Sequence, residues 1–273
     1  MDLRLPSPVS EITDERLGPV RLLLKRDDLI HPELPGNKWR KLKYNLVAAR
    51  EQGYDTLATF GGSHSNHIRA TAAAGRIFGF ATIGLIRGEE RLPLNDTLAF
   101  AVSCGMELRY LDRTTYRSKP VPDGRFYLLP EGGSNALAVR GCAELPREIS
   151  EPYDLICCPV GTGGTLAGLA QGLRPGQRAL GFAVLRGGDF LHGEVARLQG
   201  ADRTGNWRIE TGFHCGGYAR RTAGLDQFLA DFAGRHGVPL DRIYTGKMLY
   251  GLYALIAAGG IPAGSRVVAV ITG

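Results

Sequence analysis

Thr56-Leu57-Ala58-Thr59-Phe60-Gly61-Gly62-Ser63-His64-Ser65-Asn66-His67-Ile68 decides the fold. Thr56 to Phe60 reads as a short strand, Gly61 to His67 as a turn, and Ile68, Ala72 and Gly75 then share one face of a helix. The same alternation runs outward in both directions. Further strands are expected at Thr82–Ile86, Glu107–Leu111, Phe126–Leu129, Leu155–Pro159, Leu180–Leu185, Trp207–Thr211 and Val267–Ile271, with helical patterns between most of them. Strands alternating with helices predict an α/β fold, a parallel sheet covered by helices on both faces. Ligands in such folds gather at the strand ends. Pro and polar residues fill Arg113–Asp123, with Gly124 directly after, and the stretch reads as one long loop and a weak domain boundary.

The chain has 273 residues, 44% of them apolar, enough for one large or two modest domains with a proper core. Thirty-three Lys and Arg against 27 Asp and Glu give a charge of +6. These cations are scattered apart from Lys38–Lys43, and no nucleic-acid motif accompanies them, so small anionic ligands suit the charge better than nucleic acid. Five cysteines, with Cys157 and Cys158 adjacent and Cys104, Cys142 and Cys215 isolated, lack zinc or redox spacing and fit a reducing cytoplasm. The first residues carry charges and prolines where a secretory leader needs an apolar run. No segment approaches the roughly 20 apolar residues of a membrane span. The expected location is the cytoplasm, with no membrane partner.

Gly36-Asn37 is expected to cap a helix from Lys38 to about Gln52. Trp39, Leu42, Leu46 and Ala49 share its apolar face, and Lys38 projects onto that face, whereas Arg40, Lys41 and Lys43 are expected to point away. A lysine there either snorkels or is desolvated enough for its neutral amine to form a Schiff base with an aldehyde.

The turn Ser63 to His67 opens a helix with free N–H groups and polar side chains, either an ordinary cap or a site for a carboxylate, formed by Ser63, His64, Ser65, Asn66 and His67. His64 and His67 lack a third metal ligand, so no metal is expected. A second turn, Gly161-Thr162-Gly163-Gly164-Thr165, follows the strand at Leu155 and precedes a helix at Leu166–Leu173. It lacks the lysine of a nucleotide P-loop and the third glycine of the dinucleotide fingerprint, which leaves a single phosphate or a plain strand–helix turn. Asp241 to Lys247 opens a last helix running to about Ala258, with Tyr244 offering an aromatic face.

These segments together resemble the 1-aminocyclopropane-1-carboxylate deaminase and D-cysteine desulfhydrase family of fold-type-II, tryptophan-synthase-beta-like pyridoxal-phosphate enzymes. Gly36-Asn37-Lys38-Trp39-Arg40-Lys41-Leu42 is similar to the family's cofactor-lysine motif, and Gly61 to His67 to its substrate-carboxylate loop. Gly161 to Thr165 resembles its phosphate loop and Tyr244-Thr245-Gly246-Lys247 its cofactor-stacking segment. The resemblance implies pyridoxal 5'-phosphate held covalently by Lys38, with Asn66 at its phenolic oxygen, Tyr244 stacked on its ring and Thr272 near the ring nitrogen. Ser65 would touch the substrate and relay a proton, and Tyr218 would be a second active-site tyrosine.

Two lobes are implied, each an open, mostly parallel sheet flanked by helices: a large cofactor-binding domain of residues 1–41 and 141–273, and a small domain of residues 42–140. A homodimer is implied as well. Where the cyclopropane deaminases carry a glutamate after the stacking tyrosine, this chain has Thr245, as the desulfhydrases do. A hydroxyl there leaves the ring a weaker electron sink, sufficient for a thiolate leaving group. The expected activity is therefore elimination from D-cysteine or a similar amino acid, giving a 2-oxo acid, ammonia and sulfide. Cyclopropane-ring deamination is the alternative activity, and a non-catalytic cofactor or amino-acid binding protein the alternative of another class.

Overall fold

A computed structural model describes residues 3–121 and 123–273, so the expected loop Arg113–Asp123 includes one position, 122, outside the described residues. Strands β1 (Val9–Ile12) and β2 (Arg21–Arg26) precede helix α1 (Gly36–Glu51). Next come β3 (Thr56–Gly61), α2 (Asn66–Phe78), β4 (Ala81–Arg87), α3 (Asp96–Ser103), β5 (Met106–Leu111), α4 (Arg113–Ser118) and β6 (Tyr127–Leu129). The chain then forms α5 (Ala136–Cys142), β7 (Leu155–Val160), α6 (Gly164–Gly172), β8 (Arg178–Ala183), α7 (Leu191–Gln199), β9 (Trp207–Glu210), α8 (Ala223–His236), α9 (Thr245–Ala257) and β10 (Arg266–Ile271).

Two sheets result. One has the order β1-β2-β10-β7-β8-β9 and is parallel except for β1, which runs antiparallel to β2. The other, β5-β4-β3-β6, is wholly parallel. The α/β class follows directly. Helices cover both faces of the larger sheet, so its strands are apolar on both sides rather than alternating. Val268 and Val270 of β10 join the core with Leu166 and Leu169 of α6, while Val267, Ala269 and Ile271 meet Met248 and Leu252 of α9. The adjacent cysteines divide the same way, Cys157 with α9 and Cys158 with α6.

Four expectations need correction. β1 and β2 were not anticipated. β2 reads Arg-Leu-Leu-Leu-Lys-Arg, with no alternation and few β-branched residues, yet it pairs with β10. β8 lies two residues earlier than expected, because Arg178 and Ala179 already pair with Leu155 and Ile156. Within Arg113–Asp123 the chain forms the short helix α4, capped by Asp112, whose carboxylate accepts from the N–H groups of Thr114 and Thr115 at 2.9 and 3.0 Å. The segment connects β5 to β6 inside one sheet and marks no boundary.

The fourth correction concerns α1, which buries Arg40 and Lys41 instead of turning them outward. Arg40 grips Asp27 at 2.6 and 2.8 Å and Glu148 at 2.7 and 2.8 Å. Lys25, fully buried, reaches the same Glu148 at 3.1 Å and the Ser7 carbonyl at 2.7 Å. Two cations thus meet two carboxylates behind the start of α1, joining β2, α1 and the turn before β7 into one rigid support. Among the described residues no helix is long and apolar enough to cross a membrane.

Candidate active site

A cavity open to solvent lies where β3, β7 and β10 end, lined from both sheets. This is the expected place for a ligand in parallel α/β architecture. Its lining includes Lys38, Lys41, Ser65, Asn66, His67, Gly161 to Thr165, Tyr244 and Thr272.

The lysine helix starts without a side-chain cap. Its N-cap is Pro35, and Asn37, expected to cap, lies inside the helix and bridges instead. The Asn37 amide donates to Thr165 Oγ1 at 3.1 Å, and its oxygen accepts from Lys38 Nζ at 3.2 Å. Gly36 has φ +55°, and a Cβ there would lie 1.8 Å from the Thr272 carbonyl oxygen. Only glycine lets the end of β10 close against the lysine helix. Lys38 is half-buried overall, but its amine is lowered to about 7, first by burial and then by the nearby charge of Lys41. A large share of it is therefore the neutral, nucleophilic form near neutral pH.

Ser65 caps α2, its Oγ accepting from the Ile68 N–H at 3.3 Å. Asn66, at the first helical position, lines the cavity beside it. His67 is buried with neither ring nitrogen hydrogen-bonded, and burial, reinforced by Lys38 and Lys41, holds its imidazole neutral, well below its ordinary range. Its Cε1 would be 2.6 Å from a Cβ at Gly133, whose φ is +66°. Ser63 and His64 bond each other at 3.1 Å and do not line the cavity.

Opposite, Gly161 to Gly163 turn from β7 into α6, whose N–H groups face the cavity with no side-chain cap. Lys41 enters the same corner, where its ammonium donates to the Gly132 carbonyl at 3.0 Å, Ser134 Oγ at 2.9 Å and Thr162 Oγ1 at 3.5 Å. Lys41, Gly132 and Ser134 were missed by sequence reasoning. The spacing of Lys38 and Lys41, three residues apart on a helix, and the Gly132-Gly133 pair after β6 were the available signals.

Asp241 organises the last segment. Its carboxylate accepts from the N–H groups of Ile243, Tyr244 and Thr245 at 2.9, 2.6 and 2.7 Å, and from the Thr245 hydroxyl. Tyr244 is thereby held at the start of α9, with its phenol pushed far above the ordinary value by burial and then by Tyr218. Its hydroxyl donates to Tyr218 at 3.3 Å, the rings crossing edge to face at 6.1 Å. Tyr218 itself is exposed, does not line the cavity and is tied to the site by its bond with Tyr244. Thr245, expected near the ring nitrogen, is buried and does not line the cavity, whereas Thr272 does.

The pyridoxal-phosphate dependent enzyme family matches residues 3–273. An Arabidopsis thaliana protein named as a bifunctional D-cysteine desulfhydrase/1-aminocyclopropane-1-carboxylate deaminase is 31% identical over 91% of this chain and 71% of its own. A Yersinia pestis D-cysteine desulfhydrase is 28% identical over 85% of this chain and 79% of its own. The crystal structure of a 1-aminocyclopropane-1-carboxylate deaminase homologue covers all of this chain and 90% of its own, with a TM-score of 0.82 and 28% identity. With a match over nearly the whole length, and a partly neutral lysine lining one cavity with a glycine-rich turn, the chain belongs to the pyridoxal-phosphate dependent enzymes.

Proposed function

We propose that the protein is a lyase of small amino acids that eliminates the β-substituent of D-cysteine or a similar substrate, with Lys38 as the cofactor lysine. The residues present fit the cofactor. Lys41 and the start of α6 would hold the phosphate, Lys38 the aldehyde, Asn66 the phenolic oxygen and Tyr244 a ring face, with the Thr272 hydroxyl near the ring nitrogen. When bound, pyridoxal phosphate supplies an aldehyde for the substrate amine and a conjugated ring that spreads the electron pair left on the α-carbon.

This chain's residues do the remaining work. The substrate carboxylate docks on Ser65, Asn66 and His67, the part of the expected turn that lines the cavity, against the free N–H groups of α2. The Lys38 amine or the Ser65 hydroxyl would move the α-proton. Tyr244, with Tyr218 bonded to it, stands over the opposite side as a neutral phenol. The β-substituent then leaves with its electron pair. For D-cysteine the overall reaction consumes one water and releases pyruvate, ammonia and hydrogen sulfide.

The observation that carries this reading is that Thr272 lines the cavity and, among the described residues, no carboxylate side chain does, while Thr245 after the tyrosine gives its hydroxyl to Asp241. Hydroxyls hold a pyridine proton poorly, which suits a good leaving group such as thiolate. Ring deamination of 1-aminocyclopropane-1-carboxylate is the second reading, favoured by the names of the relatives. The holoprotein is expected to form pyruvate and sulfide in equal amounts from D-cysteine, faster than it forms 2-oxobutanoate from the cyclopropane. Turnover of the cyclopropane alone would reverse the ranking, and no 2-oxo acid from either substrate would favour the binding-protein reading.

The division into lobes at residues 42 and 140, a homodimer and a cytoplasmic location belong to the same proposal. Five unpaired cysteines suit a reducing compartment. Sedimentation of the holoprotein reads the assembly.

A further inference from the structure

Lys247, on α9 just past the stacking tyrosine, is fully buried and has no role in the chemistry above. Among the described residues no carboxylate pairs with it, and its Nζ donates to one acceptor, the Gly217 carbonyl, at 2.7 Å. Burying an amine in this way is costly unless the bond it makes matters.

Gly217 lies in an irregular loop. Cys215, Gly216, Gly217 and Ala219 all have positive φ, and Tyr218 to Arg221 are exposed. Upstream, the Phe213 ring rests against Phe182, 6.2 Å between centroids; downstream, Thr222 caps α8. Between them the loop's backbone turns on itself, with Gly217 N–H donating to the His214 carbonyl and Gly216 N–H to His214 Nδ1, both at 3.0 Å. Among the described residues, two hydrogen bonds tie 214–221 to α9 and its start: Lys247 to Gly217, and Tyr244 to Tyr218.

We propose that Lys247 is a positioning residue, anchoring the 213–221 loop through the Gly217 carbonyl and so holding the Tyr218 hydroxyl on Tyr244. The bond to Gly217 is buried, whereas the tyrosine pair is exposed to competing water, so the lysine sets the loop and the tyrosine pair follows. This rests on the proposed function only in placing Tyr218 at the reaction. The anchoring itself has a separate readout. Cys215 in this loop is half-buried, and the other four thiols are buried, so Cys215 is the thiol through which loop opening shows.

The test compares holoenzymes of the wild type, Lys247→Met, Tyr218→Phe and the double variant. Lys247→Met is expected to speed labelling of Cys215 by Ellman's reagent by on the order of tenfold, with global unfolding unchanged or shifted to higher temperature. Its kcat for pyruvate formation from D-cysteine should fall by roughly tenfold to a hundredfold with little change in KM, and the double variant should be no slower than Tyr218→Phe alone. Unchanged labelling would overturn the anchor, and a double variant as slow as the product of the single effects would overturn its action through Tyr218. If Lys247→Met does not fold, Lys247→Gln, which keeps an N–H donor, should show smaller changes of the same sign, and no change in either quantity would overturn the proposal. A wild type without turnover would sink the functional reading alone, because the labelling needs no substrate.

Discussion

Lys38→Ala is expected to lower kcat/KM for amino-acid elimination by roughly a thousandfold or more while the fold persists. In the proposed function this residue would supply both the covalent hold on the cofactor and a base for the α-proton, and among the described residues one other amine, that of Lys41, lines the cavity. That amine is already engaged by Gly132, Ser134 and Thr162 beside the Gly161–Gly163 turn. The same lysine makes a stability prediction for the cofactor-free protein. An unfolded chain keeps its lysines protonated to about pH 10.4, whereas burial lowers Lys38 to about 7. Between those values the unfolded state binds the extra proton, so the folded state gains stability as pH rises. Below pH 7 both states are protonated and the cost of the buried charge is fully present. Lys38→Met should therefore raise the melting temperature more at pH 6 than at pH 9 (~1 unit below and ~2 above that value). A difference independent of pH would show that the amine is not desolvated.

Arg40→Met should destabilise the protein by about 3–5 kcal/mol, read as a lower urea midpoint with an unchanged slope. Arg40 and Lys25 balance Asp27 and Glu148 inside a buried cluster, and removing one cation leaves a carboxylate uncompensated. The sharper expectation is the rescue. Arg40→Met combined with Asp27→Leu leaves the Lys25–Glu148 pair neutral and should regain most of the loss. Because the cluster supports the helix that carries Lys38, the single variant should also bind cofactor less tightly than the double.

What the sequence reveals and what it hides divide along physical lines. β7 and β10 are legible because both of their faces meet helices, so the strand itself is a continuous apolar run. β2 is hidden because its leucines suit a helix as well, and Lys25 is tolerated there only through Ser7 and Glu148, far away in the chain. The apolar stripe of α1 is visible in its periodicity, but periodicity ranks residues by hydrophobicity alone. It turns Arg40 and Lys41 outward, although Asp27, Glu148, Gly132 and Ser134 make their burial possible.

At the site, glycine turns after strands and a lysine on an apolar face stand out locally. Asp241 does not. An aspartate three residues before a tyrosine is common, and its four bonds appear only when the chain turns into α9. Thr245 is the instructive case: its position in the sequence points it at the cofactor, while its hydroxyl, once folded, belongs to Asp241.

The central claim is one carbon–nitrogen bond. Borohydride reduction of the holoprotein, followed by proteolysis and mass mapping, is predicted to leave the pyridoxyl group on Lys38 and to leave Lys25, Lys41 and Lys247 unmodified. A label on any of those three, or an unlabelled Lys38 in fully loaded protein, would contradict the account.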